Sequence, residues 1–105
     1  MTSQEKKLIE FYQTLTNGAE KELKPGMLAK WKPGMRNKKL PEYGSACIVV
    51  ERIDVVFDKV DDSGRPYFRE PLDIVMGMTD VDGDMVLFHY DSRRFMPFNA
   101  EGDQP

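Results

Sequence analysis

The chain has 105 residues, a net charge of −3, 31% charged and 40% apolar residues, the proportions of one soluble globular domain and not of a disordered or fibrous chain. No apolar run approaches the ~20 residues of a membrane helix, and the first residues, MTSQEKKLIEFY, lack the apolar core and small-residue cleavage site of a signal peptide. The one cysteine, Cys47, has no partner for an internal disulfide and lies in the apolar run CIVV. The expectation is a cytoplasmic protein with a buried, structural thiol, and no membrane or cofactor partner.

The charge is unevenly spread. Residues 24–40 hold Lys24, Lys30, Lys32, Arg36, Lys38 and Lys39 and no acid, a local charge of +6; residues 51–92 hold eleven acids against four bases, a local charge of −7. Only one segment could therefore attract phosphate, and the rest would repel it.

In chain order, the first element reads as a helix. Thr2 and Glu5 fit a capping box, and Leu8, Phe11, Tyr12 and Leu15 fall at helical spacing on one face. Asn17-Gly18 is a stop signal, with a further helical turn expected over Ala19 to Leu23. The polar face mixes Glu5, Lys6, Lys7 and Glu10 instead of forming a basic stripe, so residues 1–23 are expected to be an amphipathic helix packed on a sheet.

Strands and turns follow. KPGM occurs at 24–27 and again at 32–35, and Pro-Gly suits the centre of a type II turn. The intervening LAKWK reads as a short strand with Met27, Ala29 and Trp31 on one face. Residues 36–45, RNKKLPEYGS, read as a loop, and ACIVVERIDVVF as one bent strand or two short ones. Residues 58–71 carry two prolines and a glycine and read as a long excursion. LDIVMGMTD and DMVLFHY form a hairpin, Asp91 caps a 3₁₀ turn through Ser92 to Arg94, FMPF is a closing strand, and 99–105 is a disordered tail.

The fold class is thus mainly β with an N-terminal α-helix (α+β). Five short strands close most simply into a small barrel or a strongly bent antiparallel sheet. An opening strand after a Pro-Gly turn (LKPGMLAKW), a polar loop, a tight hairpin and a short turn before the last strand (HYDSRRFMPF) resemble the SH3-like barrels over 24–98. That resemblance implies a binding module without implying the ligand.

Three groups of residues carry candidate chemistry. Asp80, Asp82, Asp84 and Asp91 imitate positions 1, 3, 5 and 12 of a calcium loop, but glycine stands at position 4 and no flanking helix is present in the pattern. Asp82-Gly83 is instead expected as a two-residue type I′ turn. It would set Met76 opposite His89, Gly77 opposite Phe88 and Met78 opposite Leu87, leaving His89 among methionines and leucines. His89, the one histidine, could pair with Asp91 two residues on, and with Arg93 and Arg94 as phosphate clamps this sketches a small metal-free ribonuclease. A structural histidine beside a turn-capping Asp91 needs fewer assumptions. With no second His or Cys nearby, no metal site is expected.

The basic segment with Trp31 combines phosphate-compatible charge with a stacking surface. Its residues Lys30, Lys32, Arg36, Lys38 and Lys39, joined by Arg93 and Arg94, make a nucleic-acid-binding accessory protein the alternative reading. The leading reading is a non-catalytic interaction module whose protein partner docks on the 58–71 loop through Arg65, Tyr67, Phe68 and Arg69, residue types favoured at interfaces.

Overall fold

The computed structural model describes residues 1–57 and 70–99. The chain opens with helix α1, Ser3–Leu15, started by the capping box expected from Thr2 and Glu5. Glu5 N–H donates to Thr2 Oγ1 at 3.1 Å and Thr2 N–H to Glu5 Oε1 at 2.7 Å. The bonds from Thr2 hold the Glu5 carboxyl below its usual range. The helix ends at Thr16, and Gly18 follows in the left-handed region with φ 81°. A 3₁₀ turn, Ala19–Glu22, occupies the place expected of a second helical turn.

Helix α1 does not bury its apolar stripe, contrary to the expectation that it packs on the sheet. None of its residues is buried, and Leu8 and Tyr12 are 60% and 66% exposed. Among the described residues it meets the body through its C-terminal half. Phe11 lies against Gly34, where an added Cβ would collide with the ring, and Leu15 O accepts a bond from Lys32 Nζ at 3.3 Å.

Both KPGM copies are turns. Met27 N–H donates to Lys24 O and Met35 N–H to Lys32 O, with Gly26 and Gly34 at φ 91° and 76°, conformations that an L side chain resists. Among the described residues five strands follow these bends: β1 Leu28–Trp31, β2 Cys47–Phe57, β3 Pro71–Thr79, β4 Met85–Tyr90 and β5 Phe95–Pro97. They form one antiparallel sheet in the order β4-β3-β2-β1-β5. Strand β2 is a single bent strand whose register against β3 shifts between Val49 and Glu51 and again between Arg52 and Val56. Such bulges increase twist and curl a sheet. Of the two expected forms, the closed barrel does not occur and an open antiparallel sheet does, with β4 and β5 as its edges among the described residues.

The β3–β4 hairpin forms where expected but with a different loop. Thr79 faces Met85, Gly77 faces Leu87, Met76 faces Phe88 and Val75 faces His89, a slip of one residue from the two-residue turn. Asp80 N–H donates to Asp84 O and Gly83 N–H to Asp80 O, and Gly83 alone has positive φ. This is a three-residue loop, Val81-Asp82-Gly83, of the kind that ends in a glycine bulge. Asp80 Oδ1 selects it by accepting from both Asp82 N–H and Asp84 N–H, at 2.9 and 3.0 Å. A one-residue slip exchanges the faces of a strand, so Tyr90 enters the core and His89 stands exposed.

The core lies on the inner face. Trp31 stacks on Phe95 with centroids 4.2 Å apart, and Tyr90 meets both rings edge-on. Leu23, Ala29, Cys47, Val49, Ile74, Met76 and Met78 pack around them. Trp31 is therefore a core residue, as alternation in MLAKWK suggests, with its indole N–H donated to Pro41 O. Burial pushes the Cys47 thiol up to about 12, which leaves it protonated and inert at neutral pH.

Candidate functional site

The polar side chains that the fold buries are engaged in holding elements together. Lys32 is fully buried, with Nζ 2.9 Å from Glu20 Oε1; this pair pins the first 3₁₀ turn to the end of β1. Arg52 Nη1 donates to Glu20 O and Leu23 O, while Asp73 accepts from Ser92 N–H and Oγ at 2.7 and 2.8 Å. The expected 3₁₀ turn Ser92–Arg94 is present, capped by Asp91, whose side chain accepts Arg93 N–H. The same carboxylate takes the Arg93 guanidinium at 3.0 and 2.8 Å. That bond raises the arginine above its ordinary value.

The basic segment is organised around one acid. Glu70, only 4% exposed, accepts from Asn37 Nδ2 at 2.6 Å and from Lys38 Nζ at 3.4 Å. Arg94 Nε lies 3.3 Å from Glu70 Oε1 without the alignment of a hydrogen bond, and its Nη1 donates to Met35 O. Arg36 spends its guanidinium on the carbonyls of Lys38 and Lys39 and lies over the Tyr43 ring. The structure thus brings Arg36, Lys38 and Arg94 to one side, as a phosphate site would need, yet neutralises or occupies them there. Arg93 stays apart with Asp91, and Lys32 cannot touch nucleic acid at all. Lys30 is half-buried on β1, and Lys39 is exposed, its side chain without an ion pair among the described residues.

The histidine pairing does not form. His89 lies exposed opposite Val75, and among the described residues its side chain makes no hydrogen bond. Asp91 is buried and saturated by Arg93. The two residues needed for general-base work are therefore separated by burial and by the engagement of the acid. Among the described residues no group of His, Cys, Asp and Glu side chains could hold a metal ion.

A recess of about 310 Å³ opens on the inner side of β4, lined by Lys38, Lys39, Leu40, Phe88 and Tyr90. Its wall is almost wholly apolar, with Phe88 45% exposed. Tyr90 Oη donates to Leu40 O at 2.7 Å, which fixes the basic loop across the aromatic wall. Burial raises the Tyr90 phenol above its ordinary value, so it remains a donor across the neutral range. Alternation of Val86, Phe88 and Tyr90 was the signal for this wall. Leu40, within a polar loop, offered none.

Arg65, Tyr67, Phe68 and Arg69 lie outside the described residues. Among the described residues no helix is long and apolar enough to cross a membrane. Comparison with known proteins finds no matching family model, no matching curated protein and no matching solved structure.

Proposed function

We propose that the chain is a non-catalytic, cytoplasmic interaction module on an SH3-like sheet, taking a protein partner against the inner side of β4 and the surface around it. The strand order β4-β3-β2-β1-β5 and the 3₁₀ turn between β4 and β5 support the fold part of that reading. The observation that carries the functional part is the aromatic-walled recess: an open apolar cleft with Phe88 half in water, rimmed by Lys38 and Lys39. Apolar clefts with a few polar groups at the rim are where soluble proteins bind. The cations of the alternative reading are mostly engaged within the protein, so the nucleic-acid reading has little free charge to draw on.

The test is selection of binders from a random peptide library displayed on phage, with immobilised protein as bait. Peptides that bind the native chain and lose at least tenfold on Phe88→Ser are expected. Binders indifferent to that change would place the interaction elsewhere. Retention on heparin that collapses with salt would favour nucleic acid instead, because each neutralised phosphate releases counterions.

A further inference from the structure

The two edges of the sheet are built differently. Strand β5 is three residues long and ends in Pro97, and a short strand with a proline is a poor template for further pairing. Strand β4, MVLFHY, is six residues long and contains no lysine, proline or glycine. Its register against β3 runs from Tyr90 to Met85 without a bulge. Among the described residues none of the usual guards of an exposed edge is present.

The hydrogen-bonding sense of that edge follows from the hairpin. Asp80 N–H donates to Asp84 O, and hydrogen-bonded and non-bonded pairs alternate along an antiparallel ladder. Val86, Phe88 and Tyr90 therefore bond to β3, while the N–H and C=O groups of Met85, Leu87 and His89 turn outward. Among the described residues no strand pairs with them. Met85 and Leu87 also leave their side chains 61% and 53% exposed on the outer face.

We propose that a second copy of this chain occupies the open edge of β4, its β4 running antiparallel about a twofold axis at Leu87. In that register Leu87 faces Leu87 of the second copy and Met85 faces its His89, so every outward pair can exchange both hydrogen bonds, with Cα atoms about 5.5 Å apart. The apolar pair Met85 and Leu87 is covered by its own counterpart, as an isologous interface requires. Charge agrees with this pairing. Asp84 of one copy arrives opposite Tyr90 of the other, on the side where Lys39 stands exposed without an ion pair among the described residues. Strand β4 itself carries no Lys, Arg, Asp or Glu to oppose the approach. On the inner side, Val86 of the second copy would extend the wall of the recess beside Phe88. The inference concerns the backbone edge and stands independently of which partner fills the recess.

The test is the molar mass in solution by sedimentation or light scattering across the micromolar range. The native chain is expected to approach twice its 12.1 kDa. Leu87→Lys sets two ammonium groups side by side at the twofold and should return the mass to that of a monomer, with a urea midpoint that no longer depends on protein concentration. Mixing Leu87→Lys with Leu87→Glu protein should restore a dimer, since opposite charges then meet. A native chain that is monomeric at every concentration, or a dimer that survives Leu87→Lys, would overturn the proposal. If Leu87→Lys lowers the urea midpoint, the mixing experiment still decides: restored mass supports the pairing and continued monomer refutes it. A monomer that selects peptides through Phe88 would refute the pairing while keeping the interaction reading.

Discussion

The two faces of the sheet show how the same residue types serve different ends. On the inner face Trp31, Tyr90 and Phe95 interlock and lose nearly all contact with water. On the outer face, and along α1, apolar side chains of similar size stay exposed: Leu28, Met85 and Leu87 on strands, Leu8, Ile9 and Tyr12 on the helix. The first set must carry the stability of a small domain, because buried area is what folding rewards. The second set adds little to the fold, and the helix hangs from the body by the contacts of Phe11 and Leu15.

That contrast predicts a steep ordering of effects. Trp31→Ala should cost about 3–5 kcal/mol in urea denaturation, since it removes the stacked centre of the core. Next, Lys32→Ala leaves Glu20 buried opposite an empty site and should cost about 3 kcal/mol, whereas Lys32→Met combined with Glu20→Leu should recover most of it. A cycle showing no coupling between the two positions would break the view of this pair as the pin beneath the first 3₁₀ turn.

The third effect is one of pH. Burial raises the Cys47 thiol from its ordinary 9.0 to about 12, so the unfolded chain loses this proton before the folded one. The stabilisation is complete below pH 9.0 and disappears as pH climbs toward 12, at no more than about 1.4 kcal/mol per pH unit. Tyr90 acts in the same direction, for the same reason. A urea midpoint that is flat to pH 9 and then falls, less steeply in Cys47→Ala, would confirm the sealed face. The smallest effect belongs to the helix: Leu8→Ser and Tyr12→Ser should each shift stability by less than about 0.5 kcal/mol, the usual range for exposed positions. A loss above 2 kcal/mol would mean that α1 is covered in solution.

Much of this architecture is legible in the sequence because its signals are local. The capping box of Thr2 and Glu5, the two Pro-Gly turns, the alternation that buries Ala29 and Trp31, and the Asp91 cap each rest on residues within a few positions of one another. What was not legible depends on side chains acting at a distance or in competition. Asp-Gly alone favours a two-residue turn, but Asp80 captures two backbone N–H groups and lengthens the loop, and that single residue moves His89 out to solvent. The pairing of Lys32 with Glu20, twelve positions away, and of Glu70 with Lys38 and Arg94 turns apparent phosphate ligands into internal ties. The helix misleads for a related reason, since an apolar stripe reports a capacity for burial and not its presence.

The pairing of Phe57 with Pro71 has a practical consequence. The chain leaves β2 and re-enters β3 at adjacent points, and Glu70 is tied there to Asn37 and Lys38. Doubling the length of a closed loop costs only about 0.6 kcal/mol. Because Phe57, Pro71 and Glu70 fix both ends of this connection, a reporter peptide or small folded domain with closely spaced ends, spliced between Gly64 and Arg65, should leave the unfolding free energy within about 1 kcal/mol of the native chain.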